Sequence, residues 1–369
     1  MQKLGNLVNI KTGKLDANAS TKNGEYPFFT CAVKPLRINN YAYDCECTLV
    51  AGNGDLNVKY YNGKFNAYQR VYIIESKDKS ILDTKFLALF LDTCLRGLRS
   101  KTKGAVIKFI RLGDLTGLRL KLPPLDQQIY IANLLSKTEK LITQRKESIT
   151  LLDEHLKSTF SNMFDNPVTN RKKLKLCKLV ELTTFLTSGG RGWGKYYSQN
   201  GERFIRSLDV QMNYISIENA AYVVPPNNQE AVRTRIEPLD ILLTITGSKI
   251  GRVSMVPEKF GTAYISQHVA LIRTKNINPL YLSYYLSDVN CGQHIIKNSF
   301  YGQTKPGLNF KQIENFDILV PTADLQNSFV QIVEKSAELK TQYQQSLQDL
   351  ENLFGSLSQM AFLGKLNIN

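Results

Sequence analysis

The chain has 369 residues, 43% of them hydrophobic, and a formal net charge of +15 with a pI near 9.4. This composition excludes wholesale disorder and makes a large polyanion the natural partner, nucleic acid ahead of membrane. No apolar run is long enough to span a bilayer, the start MQKLGNLVNIKTGK lacks the apolar core of a secretory signal, and six cysteines without CxxC or framework spacing argue against disulfides and structural zinc, which fits a reducing cytoplasm.

Residues 1–122 read as a first α+β domain. RVYIIE (Arg70 to Glu75) has the composition of a strand, GNGD and YNGK of hairpin turns, and DTKFLALFLDTCL of an amphipathic helix. Polar and basic residues crowd its turns: Lys14, Asn53, Lys59, Tyr60, Lys64 and Arg70, then Arg99, Lys101, Lys103 and Lys108. The alternating run LTGLRLKLP ends at Pro123, and Asp126 is expected to cap the helix that follows.

That helix occupies 123–165, with Leu135, Ile142, Ile149, Leu156 and Met163 seven apart and Leu152 beside them. Asp126 to Phe164 as one helix would be about 58 Å long, and a lone helix of that length needs a partner. DNPVTNRKKLKL then marks a domain boundary, its basic run most simply a solvated linker.

Residues 166–321 read as a second α+β domain, with HVALIR as a strand and NPLYLSYYLSDV as a helix. Its loops carry Arg191, Trp193 and Lys195 in SGGRGWGKYY, then Arg206, Lys249, Lys297, Gln303 and Lys305. IENFDILVP ends at Pro321, Asp324 takes the expected cap position, and the final helix fills 322–369. Val333, Leu347, Phe354 and Ala361 share one phase, Tyr343, Leu350 and Leu357 a second; Lys340 interrupts the first and Arg145 the second.

The two halves repeat. Pro-x-x-Asp-x-Gln occurs at Pro123 and at Pro321, an offset of 198 that holds without a gap from Gly104 to Met163. Upstream it slips: FLALFL meets YLSYYL at 195, Gly54 meets Gly247 at 193, and KLGNLV from Lys3 is matched with KLCKLV from Lys175 at 172. Such register over so long a span makes the chain two copies of one unit, a variable domain and a long helix. Antiparallel pairing of the helices would place the domains at opposite ends of a rod with an approximate two-fold axis; separate helical hairpins or dimerisation helices are the alternative. The fold class is therefore α+β, with two globular domains separated by two long antiparallel coiled-coil-like helices in an internal pseudo-two-fold repeat.

Arg and Lys contact phosphates and guanine edges, and Asn and Gln can read adenine. Any one lysine is better explained as solvated surface, but the loops taken together favour DNA contact. Gln267 and His268 match Gln69 and Arg70 at offset 198, and holding the scaffold and reading bases are equally good explanations of that match. Three histidines leave little for His-based catalysis, GSKIGR is too short for a phosphate-binding loop, VVPPNN lacks the ends of a methyltransferase motif, and PEKF lacks a nuclease's upstream acid. These features describe a binder, with a helical scaffold that touches DNA incidentally as the runner-up.

The two Pro-x-x-Asp-x-Gln junctions, the helices after them, and the block ILLTITGSKIGRV…YISQHVALIR…NPLYLSYYLS…GQTKPGLNFKQIENFDILVP resemble the specificity subunit of Type I restriction–modification enzymes. In the first copy GAVIKFIRLGDL replaces GQTKPGLNFKQI. The resemblance implies two target recognition domains, each reading half of a bipartite site in double-stranded DNA, with the helices setting the gap. It also implies docking of two modification subunits, adenine methyltransferases using S-adenosylmethionine, and of a restriction motor-nuclease using ATP and magnesium. No cofactor is expected on this chain itself.

Overall fold

The structure, a computed structural model, describes residues 1–101, 109–300 and 307–366, without the side chains of 96–101. The chain forms two compact units, the first from Met1–Ser148 and Tyr343–Asn369, the second from Ile149–Gln342. The two long helices, Leu125–Met163 and Ala323–Leu363, each contribute a segment to both.

In the first unit a six-stranded sheet has the order Val8–Thr12, Val71–Ser76, Tyr43–Ala51, Val58–Ala67, Tyr26–Phe29, Leu36–Ile38. Alternation along the strands feeds two cores. Val50 and Ile74 join Phe86 and Phe90 of the helix Thr84–Lys101, whereas Cys47, Leu49 and Ile73 point the other way, toward Phe65. GNGD joins two paired strands as expected. YNGK does not turn the chain: Asn62 and Gly63 stay paired with Glu46 and Cys45, so the strand runs straight through.

The second unit repeats the first four strands of that order as Thr183–Ser188, Val269–Thr274, Ile241–Thr244, Val253–Met255. A second sheet, Tyr197–Ser198, Ala221–Val223, Glu202–Ile205, Ala263–Ile265, repeats the outer part of the first unit's sheet. Glu202–Ile205 runs parallel to Ala263–Ile265 and antiparallel to Ala221–Val223, as Tyr26–Phe29 does with Val58–Ala67 and Leu36–Ile38. Buried Asp240 accepts two bonds from Arg273, at 2.9 Å each, beside the main sheet.

The start of the repeat needs correction. Leu4 N–H donates to Leu118 O and Leu179 N–H to Phe316 O, both at 2.9 Å, and both leucines are buried. Leu4 thus corresponds to Leu179, an offset of 175 instead of 172. The second copy carries two Lys-Leu steps that fit the pattern, and the bond to the carbonyl at 118 and 316 selects between them.

The helix junctions also differ from expectation. The helices begin at Leu125 and Ala323, so Asp126 and Asp324 lie in the first turn, exposed, where they face the positive end of the helix dipole but do not cap it. The work falls to the Gln of the motif. Buried Gln128 donates to Pro123 O and Ile81 O and accepts from Asp83 N–H at 3.0 Å. Gln326, also buried, donates to Pro321 O and accepts from Asn278 N–H at 2.8 Å. Asp83 and Asn278 in turn accept from the first turn of their own domain helices. Each glutamine therefore ties the start of a long helix to the start of a domain helix.

Within each unit the long-helix segments run antiparallel. In the first, Leu135 and Ile142 share a core with Phe354 and Leu357, and Lys146 bridges Glu351 at 2.8 Å. Arg145, which breaks the apolar pattern, lies over the Tyr343 ring, 4.3 Å from its centre. In the second, Phe160 meets Phe329, Leu156 and Val333 are buried, and Lys340, the other break, bonds Asp153 at 2.7 Å. Ile149, Leu152, Leu347 and Leu350 are half-buried. The end of each long helix rests on the domain helix of its unit: Phe164 on Tyr281, with centroids 4.8 Å apart, and Phe362 on Phe86 at 5.4 Å.

Candidate nucleic-acid interface

At one end of each main sheet the same loops meet on the same backbone frame. In the first unit Gly52 N–H donates to Arg70 O at 2.7 Å and Gly52 O accepts from Ile110 N–H at 2.8 Å. In the second, Ile245 N–H donates to His268 O and Ile245 O accepts from Leu308 N–H, both at 3.0 Å. One residue on, Asn53 bridges Phe109 and Thr246 bridges Gly307. A fourth loop crosses close by: a Cβ on Gly13 would stand 2.2 Å from Ala67 O, and one on Gly189 2.1 Å from Ile265 O, so only glycine fits. Gly54 and Gly247 turn the chain with φ of +69° and +90°.

This frame gathers some of the expected side chains. In the first unit it holds Lys14 and Arg70, both exposed, with half-buried Asn53. Cys31 Sγ donates to Asn53 Oδ1, and Asn57 Nδ2 donates to Cys31 O, which fixes the neighbouring loop. Lys59 sits at the same end; its amine is held by Asn57 Oδ1, and burial lowers its pKa. In the second unit exposed Lys249 lies in the turn after Thr246, and Arg191 follows the Gly189 crossing. Exposed Lys297 is one helical turn beyond Gln293, whose amide holds Gly251 O in that turn.

Other residues lie elsewhere. Lys64, pairing across from Asp44, is exposed at the far end of its strand with its amine over Tyr41. The Tyr60 hydroxyl donates to Glu46, and burial together with that carboxylate pushes its pKa up to about 12. Lys195 is exposed beside Tyr196. Trp193 belongs to the core: it is 4% exposed, stacks on Phe204, and donates its indole N–H to Glu230. The Arg206 guanidinium is committed to Asp209 and to Asn219 O. Side chains at Arg99 and Lys101, and residues Lys103, Lys108, Gln303 and Lys305, lie outside the described residues.

Several organising residues carried no loud signal in the sequence. Cys31 and Asn57 build the first loop end, and Thr246 Oγ1 lies against His268 Nδ1 in the second. Only the alignment of Asn53 with Thr246, at the same 193 offset as Gly54 with Gly247, points to the last of these. Among the described residues no cluster of three or more His, Cys, Asp or Glu is placed to hold a metal, and no helix is long and apolar enough to cross a membrane.

Comparison with known proteins agrees with this duplicated architecture. The chain is 40% identical over 151 residues to the type I restriction enzyme EcoDI specificity subunit of Escherichia coli, an alignment covering 41% of this chain and 33% of that protein. It is 24% identical over 353 residues to the Escherichia coli EcoBI specificity subunit, covering 87% and 74% respectively. The crystal structure of a type I restriction-modification S subunit from M. genitalium superposes with a TM-score of 0.62 at 19% identity, over 100% of this chain and 96% of that one, and so shares the fold. The model of the type I restriction modification DNA specificity domain matches twice, at residues 1–151 and 197–351, and the chain belongs to that family.

Proposed function

We propose that this chain is the DNA-recognition subunit of a type I restriction–modification complex, each unit reading one half of a bipartite duplex site through its converging loop end. The supporting observation is the loop frame built twice from equivalent hydrogen bonds, with exposed cations around it in both units. Cations attract and position the phosphate backbone, while base edges supply sequence. The chain's own part is to bind and orient. Methyl transfer from S-adenosylmethionine belongs to modification subunits docked on it, and ATP- and magnesium-dependent restriction to a motor-nuclease subunit. Cytoplasmic DNA is the matching target.

Mapping methylated adenines in cells that carry this chain with its modification subunit tests the reading. The expected motif has two short specified halves and an unspecified spacer. A continuous motif would sink the two-unit reading. Loss of salt-dependent, sequence-selective duplex binding in the assembled complex would favour a helical scaffold instead.

A further inference from the structure

Positions 70 and 268 hold the same place in the two frames. What each frame uses is the backbone: the carbonyl of Arg70 accepts from Gly52 and that of His268 from Ile245. Any residue type supplies a carbonyl, so the scaffold leaves both side chains free to differ. Both are exposed at the loop end. The neighbouring Gln69 is used locally, its amide donating to Asp16 at 2.8 Å, whereas the Arg70 guanidinium has no partner among the described residues. His268 is held differently. Its Nδ1 lies against the Thr246 hydroxyl, and its Nε2 is 3.2 Å from the Gln267 amide nitrogen, which fixes the ring plane.

We propose that Arg70 and His268 are equivalent base-reading positions, one in each unit, and that the half-sites differ in the base read there. The donor fork of Arg70, without a partner among the described residues, matches the O6 and N7 acceptors of guanine. His268 and Gln267 present a fixed imidazole–amide pair with fewer donors, which does not reproduce that fork. The inference rests on the DNA-recognition reading and deepens it.

The test is binding of the assembled complex, this chain with its methyltransferase partner, to a library of duplexes randomised at each half-site. Arg70→Lys keeps the charge and removes the fork. It should relax discrimination at one position of one half-site by about ten- to a hundred-fold, leave the other half-site unchanged, and keep affinity for scrambled duplex. Arg70→Gln should move the preference at that position from guanine toward adenine. His268→Ala should relax one position in the other half-site alone. An unchanged base profile in all three variants overturns the inference. So does uniform weakening across every sequence with a shallower salt dependence, the behaviour of a phosphate contact. If the unaltered complex lacks sequence selectivity, the recognition reading itself falls and takes this one with it; a selective parent with unaffected variants removes only this one.

Discussion

Asp165 shows how much one carboxylate can organise just past the end of a long helix. It is buried, with a φ of +48°, and accepts the Thr169 hydroxyl at 2.8 Å and the N–H groups of Asn166 and Arg171. The Thr169 bond and those backbone donors hold its pKa at about 2, below the ordinary 3.8. Nearby, Lys172 donates to the carbonyls of Asn162 and Met163, so part of the basic run that reads as a solvated linker serves as a helix C-cap. A carboxylate whose folded pKa is depressed stabilises the fold above its unfolded pKa, and that stability disappears as pH falls through the folded value. Asp165→Asn should therefore be less stable than the parent at pH 7, and the gap should close between about pH 4 and pH 2. Melting curves across that range check it; a gap independent of pH would show that shape, not charge, matters at this position. Single residues are also where sequence reasoning was weakest. Lys14 and Arg70 reach the surface, while Trp193 and Arg206 were absorbed by the fold, because nothing in composition distinguishes an indole facing solvent from one stacked on Phe204.

At the scale of elements, the long helices were legible because seven-residue spacing is a geometric signature that survives without tertiary context. Their interruptions were legible only as faults. The structure turns both into contacts, Arg145 against Tyr343 and Lys340 against Asp153, since a long cation can lay its stem along an apolar seam and still reach a partner. The junctions were half legible. The Pro-x-x-Asp-x-Gln pattern marked the right place, but cap propensity drew attention to the aspartate, while the buried amide makes the decisive bonds. That amide satisfies three groups from two segments at Gln128 and two groups at Gln326, so its loss leaves them unpaired. Gln128→Leu should cost about 3 kcal/mol by the usual penalty for stranded buried polar groups. Gln326→Leu should cost somewhat less, about 2 kcal/mol, because it removes two bonds where Gln128 makes three. Denaturant titrations of the two variants test this; a loss under half a kilocalorie in either would show that water replaces the amide at that junction.

For the whole molecule, repetition carried the most information. Two offsets in the sequence align the frame residues of both loop ends: 198 pairs Arg70 with His268 and Ile110 with Leu308, and 193 pairs Gly52 with Ile245. The exception, 172 in place of 175, arose because a short apolar pattern can match in two registers and only a hydrogen-bond partner chooses between them. Which bases are read stayed illegible, since that depends on side-chain direction at loop ends and not on the spacing of a pattern. The helices, by contrast, make a prediction that needs no knowledge of the bases. Each passes from one compact unit to the other, between Ser148 and Ile149 in the first helix and between Gln342 and Tyr343 in the second. Four residues inserted at both places keep every pairing within a unit and lengthen each helix by about 6 Å. If the helices set the gap between half-sites, the methylation motif should gain roughly two base pairs of spacer, at 3.4 Å per step, while both specified halves keep their bases. Methylome sequencing of cells carrying the lengthened chain reads this directly. An unchanged spacer would mean that the DNA, not the helices, absorbs the distance, and altered half-site bases would mean that the recognition loops are not independent of the helices that join them.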